Sequence, residues 1–282
     1  MIEERAYAKV NLFLNVSSKR KDGYHSLEML NTKIDLCDVL EFKKIDVPET
    51  VIIKSNDLFL SNQENIVIQV AKYMIRNYNI QSGLEIKIDK KIPFGAGLAG
   101  NSADSAAVIK GISKLFNLNL TLENMIDIGM MFGADIPYCL FDKTAFVSGI
   151  GEVIEEVALD FSDYQLLLIN PLEFIGTKDV FDLVDKNGVL TRDISAIKDY
   201  VYNNNIEKLK NNIFNSLEDI VVENYSFMKN FKEILVDKLG SSGLIMTGSG
   251  SSYVKIIKRN EDFSGFINDF KDEFLIKIHN FL

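Results

Sequence analysis

The sequence predicts an α+β protein of two domains, in which strands and helices are clustered along the chain instead of strictly alternating. Three observations predict it. The first part of the chain alternates apolar and polar residues, as half-buried strands do. A glycine-rich loop then leads directly into a helical segment. The length of 282 residues is almost twice that of a usual domain of ~150, and helical spacing dominates beyond residue 160. We therefore expect domains at 1–160 and 161–282.

The elements of the first domain follow from the spacing of apolar residues. Val10 and Leu12 face one side of the first strand and Lys9 and Asn11 face the other, because successive side chains of a strand alternate. Strands are expected at 6–16, 34–44, 51–54 and 84–88, with paired strands within 144–157. Helices are expected at 65–77, from the glycine loop to residue 116, and at 121–132, which Thr121 can cap.

The second domain is expected to be mainly helical. One buried strand at 165–169 opens it, and two strands at 243–247 and 252–257 flank a second glycine turn. A short strand at 274–278 ends it. Helical spacing covers residues 177–184, 194–203, 206–214, 225–239 and 261–271.

Composition excludes several classes of function. The net charge of −9 argues against a general nucleic-acid binder, which needs surplus Lys and Arg to neutralise phosphates. Two cysteines and two histidines exclude a disulfide framework and a multi-histidine metal site. The amino terminus carries acidic residues before any apolar run, and no apolar stretch approaches the roughly 18 residues of a membrane span. We expect a cytoplasmic protein that binds neither nucleic acid nor membrane.

The glycine-rich loop is the clearest functional signal. Gly95, Gly97 and Gly100 spell G-x-G-x-x-G directly before a helix, an arrangement that lets backbone N–H groups and the helix dipole hold a phosphate. Ser102 and Ser105 add hydroxyls within reach of phosphate or Mg²⁺. No Lys follows the last glycine, so this is not a Walker A loop. A dinucleotide site is disfavoured because the preceding strand alternates with charges. A glycine turn without a ligand is the other alternative.

Three polar residues suggest which reaction a phosphate bound at the glycine loop undergoes. Lys9 and Asn11 share a strand face, and Asp135 follows a helix that Gly133 ends. Taken singly, a solvated strand face and a turn aspartate are the better interpretations. Together with a phosphate loop that lacks its own Lys, they are the components of a phosphoryl-transfer site, which needs charge neutralisation and a proton acceptor.

Five motifs in order carry a resemblance to a known family. They are AKVNLFL, DGYHSLEML, IPFGAGLAGNSADSAA, FGADIPY and TGSGSSYV. In order and spacing they resemble the GHMP small-molecule kinases, over nearly the whole chain and most strongly in 6–30, 90–107 and 129–152. The AKVNLFL and DGYHSL pair is similar to the branch whose substrate carries cytidine, in the non-mevalonate isoprenoid pathway.

The resemblance implies a fold and an activity. The N-terminal domain would resemble ribosomal protein S5 domain 2, and the C-terminal domain would be ferredoxin-like. With ATP and Mg²⁺, the enzyme would phosphorylate the 2-hydroxyl of 4-diphosphocytidyl-2-C-methyl-D-erythritol, a small molecule with a cytidine diphosphate moiety. A monomer or a homodimer is expected.

The resemblance also implies roles for individual residues. Asp135 matches the catalytic base and Lys9 its partner. The residues implied to bind ATP are Asn65, Lys90, Pro93, Gly95, Ala96, Gly97, Leu98, Ala99, Gly100, Asn101, Ser102 and Ala103, with Ser102 also a metal ligand. Those implied to bind the other substrate are Asn11, Tyr24, His25, Phe181, Thr247, Gly248 and Gly250. Tyr24 and Phe181 would sandwich the cytosine, although turn and helix-core roles are alternatives for them.

The chain departs from the family pattern inside its glycine loop. Ala99 and Asn101 replace glycines, Ala103 replaces a serine, and Asp142-Lys143 stand where glycines are common. An alanine with a positive φ is strained, and a lost hydroxyl removes a contact. These changes predict weakened nucleotide binding. They leave two alternatives open: a diverged kinase for homoserine, mevalonate or a sugar, and a non-catalytic nucleotide-binding paralogue.

Overall fold

The computed structural model describes residues 1–56 and 65–282, which divide into two units interleaved along the chain. The first unit comprises Met1–Ala8, Leu36–Phe94 and Ala99–Asp142. The second comprises Lys9–Asp35, Gly95–Leu98 and Lys143–Leu282. This division differs from the predicted domains 1–160 and 161–282, which stay a prediction.

The secondary structure is a mixture of strands and helices that alternates only in part, so the predicted α+β class is confirmed. The first elements are β1 (Ile2–Lys19), β2 (His25–Ile45), β3 (Val51–Ser55), α1 (Ile66–Asn77), β4 (Gly83–Asp89), α2 (Gly100–Leu115), α3 (Leu122–Met130), α4 (Ile136–Leu140), β5 (Ala145–Gly149) and β6 (Val153–Glu156). The later ones are β7 (Tyr164–Asn170), α5 (Thr177–Asn187), α6 (Ser195–Tyr202), α7 (Ile206–Lys210), α8 (Ser216–Asn224), α9 (Ser226–Leu239), β8 (Leu244–Met246), β9 (Tyr253–Lys258), α10 (Ser264–Phe270) and β10 (Leu275–His279).

The first unit packs helices on a small sheet. Strand β4 pairs antiparallel with the end of β2 and parallel with β3. Its residues alternate as predicted, with Leu84, Ile86 and Ile88 buried. Helix α2 lies against this sheet so closely that a Cβ on Gly111 would be 2.5 Å from the Phe42 ring. The close approach fixes the axis of α2, and with it the position of the helix start.

The second unit contains two sets of antiparallel strands. The beginning of β2 pairs with β5, which pairs with β6. A separate four-stranded sheet has the order β10-β7-β9-β8. Its central strands β7 and β9 are almost wholly buried, which agrees with the apolar run of β7, whereas β9 also buries Lys255. Within residues 1–56 and 65–282, no helix is long and apolar enough to cross a membrane.

Two helices and half a strand were absent from the sequence prediction. Helix α4 is a single turn with a proline near its start, too short for a periodic signal. Helix α8 begins at a cap, Asn215, with Glu218 three residues later, a start signal that the prediction did not use. The first half of β2 buries Asn31, Thr32 and Lys33, whose polarity hid the strand.

Candidate active site

The glycine loop needs glycine because another backbone lies against it. Gly95 and Gly97 have φ values of +61° and +72°, in the left-handed region. A Cβ on Gly97 would stand 2.1 Å from the carbonyl oxygen of Thr247. Ala96 and Leu98 are buried and anchor the loop from beneath. Within the second unit, the two glycine-rich segments of the sequence therefore pack directly on each other.

The second glycine turn, Thr247–Gly250, is held by an asparagine that sequence reasoning missed. The turn closes through a hydrogen bond from the Gly250 N–H to the Thr247 carbonyl, at 3.1 Å. Asn215 Nδ2 donates to the carbonyls of Met246 and Gly248, at 2.7 and 2.8 Å. Its Oδ1 accepts from Leu217 N at 2.9 Å and so caps α8. One side chain thus fixes both the turn and a helix start.

Lys9 and Asn11 are buried residues of β1, not a solvated strand face. Lys9 Nζ donates to Asn11 Oδ1 at 3.0 Å, and the Lys9 N–H donates to the Leu98 carbonyl at 3.2 Å. Asn11 Oδ1 also accepts from Gly248 N at 2.9 Å, and Asn11 N donates to Thr247 Oγ1 at 3.0 Å. The structure therefore brings five predicted residues together: Lys9, Asn11, Gly97, Thr247 and Gly248.

The start of α2, in the first unit, has no side-chain cap. Ala99 precedes the helix in the left-handed region, at φ 56° and ψ 33°, and no side chain caps the helix. An uncapped start presents backbone N–H groups and the positive end of the helix dipole. Ser102 lies half-buried in this first turn, whereas Ala103 is buried. The strained alanine expected from the loop sequence is confirmed.

Ser105 is buried in α2, and its hydroxyl donates to the Asn101 carbonyl at 2.8 Å. Serine inside a helix often donates in this way to the carbonyl four residues earlier. The contact of Ser105 with phosphate or Mg²⁺ stays a prediction.

Lys90 forms a buried ion-pair cluster with two aspartates that the sequence did not single out. Its Nζ lies 2.5 Å from Asp38 Oδ2 and 2.7 Å from Asp104 Oδ2. Burial raises the pKa of Asp104 to about 7, against the attraction of Lys90. Burial lowers the pKa of Lys90, but the two carboxylates outweigh it and leave that pKa raised. The Lys90 ammonium is therefore engaged inside the first unit.

Two other predicted residues stand at helix starts in the first unit. Asp135 precedes α4, is half-buried, and does not cap that helix with its carboxylate. Asn65 precedes α1 and caps it, since its Oδ1 accepts from Val67 N at 2.8 Å. Lys9 belongs to the second unit, so its pairing with Asp135 stays a prediction.

Of the aromatic residues predicted to bind the cytidylyl substrate, His25 and Phe181 lie next to each other. The ring of His25 lies 5.5 Å from that of Phe181, and its Nε2 lies 3.4 Å from Asp185 Oδ1. Tyr24, one residue away, is 58% exposed. Phe181 is half-buried on α5. The sandwich of a base between Tyr24 and Phe181 stays a prediction, and Asp185 is an additional polar group there.

A protein-only metal site is not visible in residues 1–56 and 65–282, where no group of three or more His, Cys, Asp or Glu side chains could hold a metal. Mg²⁺ commonly binds through one or two protein oxygens and the phosphates of a nucleotide. The half-buried Ser102 at the α2 start is compatible with that kind of binding.

Comparison with known proteins connects this geometry with a family. The GHMP kinases N terminal domain matches residues 65–149. The 4-diphosphocytidyl-2-C-methyl-D-erythritol kinase of Thermoanaerobacter pseudethanolicus is 36% identical over 96% of this chain and 92% of its own. That of Clostridium tetani is 40% identical over 87% of each chain. The crystal structure of a 4-(cytidine 5'-diphospho)-2C-methyl-D-erythritol kinase, 24% identical, aligns over 99% of both chains with a TM-score of 0.78 and shows the same fold.

Proposed function

The chain belongs to the 4-diphosphocytidyl-2-C-methyl-D-erythritol kinases within the GHMP kinases, and from this premise we infer that it phosphorylates the 2-hydroxyl of that cytidylyl alcohol. It is an ATP-dependent small-molecule kinase of isoprenoid biosynthesis. One structural observation carries the inference. A glycine loop leads into an uncapped helix start, the anion-binding arrangement that a nucleotide triphosphate needs.

The phosphates of ATP would lie on the start of α2 and the loop before it. Backbone N–H groups would do most of the work, so the replacements at Ala99, Asn101 and Ala103 leave the principal donors in place. When bound, Mg²⁺ would supply positive charge that offsets the negative charge of the phosphates. Ser102 would be its protein ligand. The adenine would lie near Asn65 and the backbone of Lys90, since the Lys90 side chain is buried and its ammonium is engaged with Asp38 and Asp104.

Asp135 and Lys9 would act on the reacting groups. Asp135 would accept the proton of the attacking 2-hydroxyl, and Lys9 would keep that carboxylate ionised and stabilise charge on the transferred phosphoryl group. The bond between Lys9 Nζ and Asn11 Oδ1 holds the ammonium in a fixed direction. The burial of Lys9 supports this role, because an ammonium interacts more strongly with other charges where water is excluded.

The cytidine end would be recognised at the tip of β1–β2 and on α5. An exposed ring such as Tyr24 can stack on a pyrimidine at little entropic cost. His25 and Phe181 already pack together and offer a preformed edge. Thr247, Gly248 and Gly250 would close on the substrate's phosphates.

The test is ADP release measured with a panel of acceptor alcohols. Release that depends on the cytidylyl alcohol supports the proposal. Release with homoserine, mevalonate or a sugar would instead identify a diverged kinase. ATP binding without release, with every acceptor, would identify a non-catalytic nucleotide-binding protein.

A further inference from the structure

The ion-pair cluster of Asp38, Lys90 and Asp104 joins three elements of the first unit. Asp38 belongs to β2, Lys90 follows β4, and Asp104 lies in α2 one turn beyond its start. Both aspartates are fully buried, and the Lys90 side chain is 5% exposed. The cluster lies beneath the surface of the unit, so its effect on a ligand has to be exerted through the backbone that it holds.

The cluster holds the chain on the way into the glycine loop. Asp38 Oδ1 accepts from the N–H groups of Lys91 and Ile92, at 2.5 and 2.8 Å. Asn56 pairs with both backbone groups of Lys90, at 2.8 and 3.1 Å. Residues 90–92 are therefore fixed on two sides, and the Lys90 side chain extends from this fixed segment towards α2.

The same ammonium also lies beside the first helical residue, Gly100. A Cβ on Gly100 would stand 3.2 Å from Lys90 Nζ, so the absence of a side chain there lets the ammonium approach the helix start. The bond to Asp104 then ties the helix to the segment before the loop. Lys90 thus connects the chain before the loop with the chain after it.

We propose that Asp38, Lys90 and Asp104 are positioning residues that set the affinity for ATP by fixing the first turn of α2. The inference rests on the proposed function, in which that turn binds the phosphates. Stability alone is a weak reason for such a cluster, since buried ion pairs are often no more stabilising than apolar residues of the same volume. Asp104 Oδ1 is moreover buried without a hydrogen-bond partner, which an arrangement selected only for stability would avoid.

The test breaks the tether without leaving an unbalanced charge. In Asp104→Ala, Lys90 keeps Asp38 as a counter-ion while its link to α2 is lost. We expect the Kd and KM for ATP to rise about tenfold, because small misplacements of binding groups weaken a ligand strongly. The kcat and the KM for the cytidylyl alcohol should change by less than about threefold. Asp104→Asn keeps an oxygen for Lys90 Nζ and should restore ATP affinity to within about threefold of wild type.

A matched control exists at the other end of the same helix. Glu4 is buried and pairs with Lys114, in the last turn of α2, at 2.7 Å. Glu4→Gln removes the buried β1 charge that pairs with the end of this helix, far from its start, and should leave the Kd for ATP unchanged. If Asp104→Ala does not fold, Asp104→Ser is the second variant, because its side chain is too short to reach Lys90.

The measurements are calorimetric titration with ATP·Mg²⁺ and steady-state kinetics, both carried out below the unfolding temperature that a thermal melt gives for each variant. Unchanged ATP affinity in the Ala or Ser variant would overturn the inference. So would equal weakening of both substrates, or an Asn variant as weak as the Ala variant. A wild-type protein that binds no ATP would overturn the proposed function first, and the two failures are therefore distinguishable.

Discussion

Replacing Asp104 by Asn is expected to change how stability depends on pH. The pKa of this buried carboxyl is raised to about 7 from an ordinary value of 3.8. Lys90 and Asp38 are the charged groups in contact with it or next to it. Folding therefore binds a proton between these two values. The stabilisation from that proton is complete below the unfolded pKa and is lost as the pH rises to the folded pKa.

The magnitude follows from the proton linkage. Each pH unit between the two pKa values corresponds to about 1.4 kcal/mol. From about pH 5.5 to 7, the wild type should lose about 2 kcal/mol that Asp104→Asn does not lose. Other titrating groups are common to both proteins, and their contributions cancel in the difference. The free energy of unfolding of the variant, relative to wild type, should thus rise through this interval and level off above about pH 8.

Urea unfolding of both proteins across this pH range measures the difference, and thermal unfolding gives a second estimate. For a chain of this size, about 2 kcal/mol corresponds to a shift of roughly 3–4 °C in Tm. A difference that is the same at every pH would refute the reasoning, because it would mean that Lys90 keeps Asp104 ionised throughout.

Three further predictions concern catalysis and binding. Asp135→Asn should lower kcat by about 10²–10⁴ with little change in KM, as loss of a general base does. The control is Asp142→Asn, at an exposed carboxylate. Steady-state kinetics in which Asp135→Asn lowers kcat by less than threefold would contradict the role. Phe181→Ala should weaken the cytidylyl substrate by about 1–3 kcal/mol in a binding titration and leave ATP unaffected, and equal weakening of both would point to a damaged fold. Ala99→Gly/Ala103→Ser should change kcat/KM for ATP by no more than about tenfold; a parent that binds no ATP, beside a double variant that does, would contradict this.

The sequence predicted those features that depend on neighbouring residues. Alternation in β4, the helix that begins near Asn65 and the cap at Thr121 are short-range signals, and the structure contains all three. Both glycine turns were also visible, because left-handed backbone favours glycine wherever it occurs. Their contact with each other was not predicted.

Long-range pairing of polar side chains was not predictable. Asn11 had the spacing of a solvated strand residue, yet it is buried by the turn at Thr247, 236 positions away. Lys90 and its two aspartates are separated by 52 and 14 positions, with no periodic relation. Asn215 is a visible helix cap, but its second role depends on carbonyls more than 30 positions along the chain. Such contacts are determined by tertiary packing, which local propensity does not encode.

The replacement at Ala99 and a side chain at the retained Gly97 have different physical consequences. At Gly97 a side chain would meet the Thr247 carbonyl at 2.1 Å, and backbone would have to move to admit it. At Ala99 the methyl group is already present, and the penalty is that of left-handed backbone, about 1–2 kcal/mol. This penalty reduces stability, but the residue still turns the chain into α2 and leaves the helix start uncapped. The donors on which ATP binding is proposed to depend therefore survive the change at residue 99, whereas a change at residue 97 would displace them.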